Sequence, residues 1–317
     1  MEASSNGATD LAPIVIFVYN RLNHTKQTIE ALARNDLANV SEVFIYSDAA
    51  KKEQGTEKVK AVRQYIDSII PDSLFKSVTI IKAESNRGLA NSVINGVSEI
   101  INRFGRVIVV EDDLVTTPDF LSYMNRALDF YRDDPKIWSI SGYSFKMKIP
   151  KSYKHDIFLS YRASSWGYAT WADRWNTVDW ELKEYQQFSK DHKMQRVFNR
   201  GGRDLTAMLN DQIEGKIDSW AIRWCYEQSR QDTLTVYPVY SRVKNIGLDG
   251  SGTHSKRSKE HARWDPLLNT TNSTIKLENL SVDKRIARLF RARYGTVMSA
   301  MVGKGKRLIT LILAFMR

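Results

Sequence analysis

Four short apolar runs, each ending in polar residues, organise the N-terminal half of the chain. Ile14 to Tyr19 (IVIFVY) is continuous and rich in β-branched residues; Asn20-Arg21 follows, and then Ile29, Leu32 and Ala33 recur at helical spacing. Val43 to Tyr46 ends at Ser47-Asp48, and Val78 to Ile81 runs into Glu84-Ser85-Asn86-Arg87-Gly88. A helix with Leu89, Val93, Val97 and Ile100 on one face then leads to Val107 to Val110, a strand that stops at Glu111. This alternation predicts an α/β fold: a mostly parallel sheet with helices on both faces, binding its ligands beyond the carboxyl ends of the strands. Asp48, Asn86 and Glu111-Asp112-Asp113 all fall at such ends.

Pro118 to Tyr131 reads as a helix with proline in its first turn, and Lys136 to Ile140 as a further strand. Beyond about residue 150 the regularity fades. Residues 155 to 250 carry Trp166, Trp171, Trp175, Trp180, Trp220 and Trp224, with helices predicted near 168 to 175, 203 to 214 and 219 to 231. This half reads as substrate-shaping structure added to the sheet. No internal repeat is visible, and His254 to Ser273 is the stretch least suited to order.

Composition is that of an ordinary globular protein, so the formal charge of +11 carries more information than the residue fractions. From Asp283 to Arg317 there are nine Lys or Arg against one Asp, a net of +8 that leaves only +3 for the rest. The excess sits beside apolar residues: Ile286, Leu289 and Phe290 share a helical face, and Leu308 to Met316 is nearly all apolar. That arrangement predicts a basic amphipathic tail at a membrane surface, or else a helix packed on the domain or on another subunit. It does not suit nucleic acid, which calls for basic charge interleaved with stacking platforms. Cys225 is the single cysteine, and the polar N-terminus MEASSNGATD lacks the pattern of a signal peptide, so a cytoplasmic protein is expected.

Glu111, Asp112 and Asp113 follow a strand that should be buried on both faces, where three like charges gain nothing for folding. A divalent cation with hard oxygen ligands, Mg2+ or Mn2+, is the natural partner, completed by substrate phosphates. A solvated acidic turn is the plain alternative. Arg21 after the first strand can clamp phosphate or stack on a base, and Asp48 after the second can accept ribose hydroxyls or a base N–H. Helix capping by Asn20 or Asn23 and a surface ion pair for Arg21 would account for the same residues. Asn86, Arg87 and Gly88 open a helix whose N-terminus favours anions, although Gly88 also suits a tight turn.

Glu111-Asp112-Asp113-Leu114 followed by Pro118-Asp119-Phe120 resembles the metal motif of the N-acetylglucosaminyltransferase I family, in which EDDL precedes PDF. Asp134-Pro135 with Trp138, Trp166-Gly167 with Trp175, and Ile217-Asp218-Ser219-Trp220 resemble that family's DP...W, GLGW...W and WDDW segments in the same order. Tyr19-Asn20-Arg21 and Ser47-Asp48-Ala49 stand where the family has CDR and SQD, and Gly250 to His254 is similar to its GVSH loop.

The resemblance implies a GT-A fold and a metal-dependent glycosyltransferase of polysaccharide biosynthesis that moves a sugar from a UDP-sugar donor to a hydroxyl of a glycan, and the basic tail suggests a polyprenyl-diphosphate-linked acceptor. The resemblance also implies Asp113 and His254 at the metal. Arg21, Asp48, Asn86, Arg87, Glu111, Asp112 and Trp166 would meet the nucleotide sugar, and Asp218 would be the general base of an inverting displacement. N-capping of the helix from 219 is the structural alternative for Asp218, and Ser219 replaces the family's second Asp. The expected organisation is a disordered 1 to 10, a catalytic domain 11 to 255 with a nucleotide-binding half to 145 and an acceptor-side half from 146, a linker 256 to 282, and the tail 283 to 317. That tail would hold the enzyme peripherally at the inner face of the cell membrane. A sugar-phosphate nucleotidyltransferase would share sheet and metal but needs a Gly-rich loop after the first strand, and Tyr19 to Thr25 has no glycine. A non-catalytic carbohydrate-binding protein is the other alternative.

Overall fold

The computed structural model describes residues 11–70, 74–249, Pro266, Leu268 and 274–294. In chain order the first half runs β1 (Ile14–Val18), α1 (Leu22–Ala33), β2 (Glu42–Ser47), α2 (Thr56–Ser68), β3 (Ser77–Lys82), α3 (Leu89–Phe104) and β4 (Arg106–Glu111). There follow β5 (Leu114–Thr116), α4 (Phe120–Phe130), β6 (Ile137–Ser141), β7 (Ile157–Ser160), β8 (Tyr168–Trp171) and the short α5 (Ala172–Trp175). The remainder comprises α6 (Tyr185–Lys190), α7 (His192–Phe198), α8 (Leu205–Ile213), α9 (Trp220–Arg230), β9 (Leu234–Pro238), β10 (Val243–Asn245) and α10 (Lys284–Arg293).

Eight strands form one sheet in the order β3-β2-β1-β4-β8-β6-β9-β7, in which β8 and β7 run against the others. The continuous apolar run of β1 has its cause here. Every residue of the strand is buried, with Ile14, Ile16 and Val18 in the core shared with α1 and α4, and Val15 and Phe17 in the core shared with α3 and α9. The α/β architecture expected from the first half is the one found.

The second half is not an addition to that sheet. Tyr168 to Trp171, expected to begin a helix, is strand β8, which lies between β4 and β6 with Tyr168 opposite Val109 and Ser141. Four buried residues are too few to carry a period, so tertiary placement decides their conformation. The tryptophans expected to shape substrate are mostly core: Trp171, Trp175, Trp220 and Trp224 are buried, and Tyr168 packs on Trp224 at 4.7 Å between ring centroids.

The residues expected as linker and tail are also tied to the domain as far as they are described. Arg126 donates to the Ile275 carbonyl at 3.0 Å and Tyr131 to that of Glu278 at 2.6 Å. Asp283 then caps α10 by accepting from the Arg285 and Ile286 amides. The apolar face of α10 is covered: Ile286 and Phe290 are buried, and Phe290 packs against Phe145, Phe158 and Tyr237. This face is therefore unavailable to a membrane surface, and only Leu289 of the three apolar residues is exposed. Among the described residues no helix is long and apolar enough to cross a membrane. Residues 295 to 317, with the run Leu308 to Met316, lie outside the described residues.

Removing the Phe290 ring should leave a void among aromatic neighbours and cost about 3–5 kcal/mol, as large core aromatics do. Urea denaturation of Phe290→Ala measures it, and an unchanged midpoint would refute the docking of α10.

Candidate functional site

Several chain segments meet at the carboxyl ends of β1, β2 and β4 and line a cleft of about 860 Å³. At its centre is an ion cluster. Arg21 occupies the N-cap position of α1 without any side-chain capping hydrogen bond, so the capping alternative does not hold at this end. Its Nη2 donates to Asp113 Oδ2 at 2.8 Å and also to Asp112 Oδ1. The pair is not a surface one, since Asp112 and Asp113 are both buried. Burial works against the charge of Arg21, but the two carboxylates more than offset this and raise its pKa above the ordinary value.

The turn that carries the carboxylates is fixed from both sides. Thr28 Oγ1 of α1 donates to the Asp112 carbonyl at 2.8 Å, and the Ile246 amide donates to the Asp113 carbonyl at 2.8 Å. Gly247 lies so near that a Cβ there would collide with the Asp113 carboxylate and stand 2.8 Å from Arg21 Nη1. Only glycine fits that approach.

One guanidinium cannot compensate three carboxylates. Asp112 Oδ2 and Asp113 Oδ1 are buried and receive no hydrogen bond. Burial raises the Asp112 carboxyl against the pull of Arg21. Burial first, then Asp113 and Asp112, push the Glu111 carboxyl up to about 8. Hard oxygen atoms without donors, on residues that line a cleft, fit a divalent cation. Among the described residues no group of three His, Cys, Asp or Glu side chains encloses such an ion, so most of its shell would come from substrate and water. His254 lies outside the described residues.

Asp48 has a different task from direct contact alone. Its Oδ1 accepts from the Ala49 amide at 2.8 Å and the Arg87 amide at 2.9 Å, and its Oδ2 from Asn86 Nδ2 at 3.0 Å and the Gly88 amide at 3.1 Å. The carboxylate is thus engaged in holding the 86–88 turn, in which Gly88 has φ +77°, a region that favours glycine. The turn presents Arg87 to the cleft, with no ion pair to its side chain among the described residues.

Asp218 lies beside this turn: a Cβ on Gly88 would stand 3.6 Å from its Oδ2. Capping of α9 falls to Ser219, whose side chain accepts from the Ile222 amide at 3.3 Å, so Asp218 is not the N-cap. Its carboxylate is 59% exposed within the cleft, with Arg223 3.6 Å away. Trp166 also reaches the cleft, edge-on to Tyr143 at 4.6 Å.

Arg21, Asp48, Asn86, Arg87, Glu111, Asp112, Asp113, Trp166 and Asp218, expected in one site, all line this cleft. Tyr143, Arg162, Asp204 and Tyr294 line the same cleft without being expected there. Gly201-Gly202 before Arg203-Asp204 was a readable signal for a close approach. Nothing local marks Tyr294, which reaches the cleft only through the docking of α10.

The GNT-I family model matches residues 2–179. Asp218 and His254 lie beyond the matched segment. Alpha-1,3-mannosyl-glycoprotein 2-beta-N-acetylglucosaminyltransferase of Arabidopsis thaliana is 22% identical over 206 residues, covering 58% of this chain and 42% of the plant protein. The chain therefore spans less than half the length of that relative. Among solved structures, S. aureus TarS overlays with a TM-score of 0.39 at 12% identity over 54% of this chain and 30% of its own. Mannosyltransferase PcManGT from Pyrobaculum calidifontis, in complex with GDP-Man and Mn2+, overlays with a TM-score of 0.34 at 16% identity over 52% of this chain and 48% of its own.

With no divalent cation added, stability should fall as pH rises. Glu111 in the folded state holds its proton up to about 8, whereas an unfolded glutamate releases it near 4.5, so across that window the folded state binds more protons. Urea midpoints between pH 5 and pH 8 measure the slope, and Glu111→Gln should flatten it; a slope unchanged by the substitution would contradict the assignment.

Proposed function

The chain belongs to the GNT-I family, and on that premise we propose that it is a GT-A type glycosyltransferase, metal-dependent and inverting. It moves a sugar from a UDP-sugar to a hydroxyl of a glycan or lipid-linked oligosaccharide. The observation that carries this reading is the convergence of Arg21, the buried unpartnered oxygens of Asp112 and Asp113, and the exposed Asp218 in one cleft. These are the parts that a displacement at an anomeric carbon requires: a seat for a diphosphate leaving group and a base for the attacking hydroxyl.

Asp113, with Glu111 and Asp112 beside it, would hold Mn2+ or Mg2+, which supplies Lewis-acid neutralisation of charge on the departing diphosphate. Arg21 and Arg87 add fixed positive charge on the donor side. Asp48 keeps the 86–88 turn in place against the donor. Asp218 accepts the proton of the acceptor hydroxyl as its oxygen bonds to the anomeric carbon, and UDP leaves from the opposite face. One displacement of this kind inverts the anomeric configuration.

UDP is supported by the family, whereas the identity of the sugar rests with loops beyond residue 140. Residues 295 to 317 retain a basic and apolar character suited to the cytoplasmic face of a membrane, where a lipid-diphosphate acceptor would be found.

The reading is tested by incubating the protein with a panel of UDP-sugars and Mn2+ and following UDP release. Asp113→Asn should abolish metal-dependent turnover, and full activity of this variant at saturating Mn2+ would overturn the metal assignment. Asp218→Asn should lower kcat by about 10²–10⁴-fold while leaving UDP affinity unchanged. Product NMR should show inversion, and a retained configuration would exclude the single displacement.

A further inference from the structure

Part of the cleft is built from the far half of the sheet and from the chain's last described helix. Arg162 follows β7, at the opposite edge of the sheet from β3; Asp204 precedes α8; Tyr294 ends α10. All three line the same cleft as Asp113 and Asp218. None belongs to the donor-side machinery described above.

The three side chains form one built unit. Arg162 donates from Nη1 and Nη2 to the two carboxylate oxygens of Asp204 at 2.8 and 3.1 Å. The guanidinium carbon lies 3.8 Å from the centre of the Tyr294 ring. The Arg203 amide donates to the Tyr294 carbonyl at 3.0 Å, which ties the end of α10 to the loop carrying Asp204. That loop approaches so closely that a Cβ on Gly202 would stand 2.5 Å from Asp204 Oδ1 and 2.6 Å from Arg162 Nη1. A Cβ on Gly201 would stand 2.5 Å from the Tyr161 carbonyl oxygen. The two glycines are what let the cluster close.

A bidentate Arg–carboxylate pair is planar and carries donors and acceptors side by side along one edge. Arg162 is largely covered, whereas 28% of the Asp204 side chain is exposed, and both residues line the cleft. Met208 and Cys225 add apolar surface nearby. Vicinal hydroxyls on a sugar ring match such an edge: each both donates and accepts, and the C–H face of the ring needs an apolar neighbour.

We infer that Arg162 and Asp204 form a subsite for a pyranose ring of the acceptor, with Tyr294 as the positioning residue that fixes the guanidinium plane. Helix α10 is then part of the substrate site. The inference rests on the transferase reading, since only a transferase has an acceptor.

Saturation-transfer NMR with UDP, Mg2+ and four methyl glycosides tests it: methyl α-mannoside, β-glucoside, β-galactoside and β-N-acetylglucosaminide. At least one glycoside should bind the wild-type protein. Asp204→Asn, which keeps the shape, and Arg162→Lys, which keeps the charge but loses the fork, should weaken it by about tenfold or more. The UDP signals should be unchanged in both variants. Tyr294→Phe should bind as wild type, and Tyr294→Ala should lose the glycoside while keeping UDP. Glycoside binding equal in wild type and both pair variants would overturn the subsite, as would the absence of any glycoside signal where UDP binds. Absence of UDP binding to the wild type would instead count against the transferase reading, with the glycoside signals still judging the subsite.

Discussion

Three carboxylates at the end of a buried strand, answered by one guanidinium, are the constraint on which the rest of the site is arranged. Arg21 compensates Asp112 and Asp113 in part, and one buried oxygen of each carboxylate is left without a hydrogen bond. An unbalanced buried cluster would be a liability in a protein with no ligand. In the proposed function a metal ion and a diphosphate would complete it, with Asp112 and Asp113 as hard oxygen donors. Around this cluster the backbone is pinned by Thr28, Ile246 and the close approach of Gly247.

The sheet explains why these groups can meet. β1, β2 and β4 are neighbours and run in parallel, so Arg21, Asp48 and the acidic triplet leave their strands at the same end. Asp48 turns that proximity into rigidity by accepting from the amides of the 86–88 turn. Asp218 arrives from the other half, released from capping by Ser219, and stands against the same turn. A serine in place of the family's second acid therefore has a structural task.

The far half of the chain serves two ends through aromatic packing. Tyr168 of β8 and the tryptophans of α5 and α9 fill one face of the sheet, and Ala163, in the segment from Arg162 to Trp166 that lines the cleft, is buried in the same cluster. Phe290 anchors α10 on the other face and brings Tyr294 to Arg162. Over 284 to 291 the basic side chains form the solvent side of a docked helix, while Arg293 lies over the Phe145 ring.

The sequence by itself determined the parallel half of the fold, because strands buried on both faces must be continuously apolar and their ends must be polar. It also made one side of the cleft legible, since Arg21, Asp48, Asn86 and the triplet each lie next to such a strand and need no long-range knowledge to be found. Tertiary structure alone decided the rest. Tyr168 to Trp171 is too short to declare itself a strand until β4 and β6 pair with it. Whether the apolar face of α10 meets lipid or protein depends on Phe145, Phe158 and Tyr237, residues more than fifty positions away. Arg162, Asp204 and Tyr294 carry no common local signal, because their meeting is made by packing rather than by spacing.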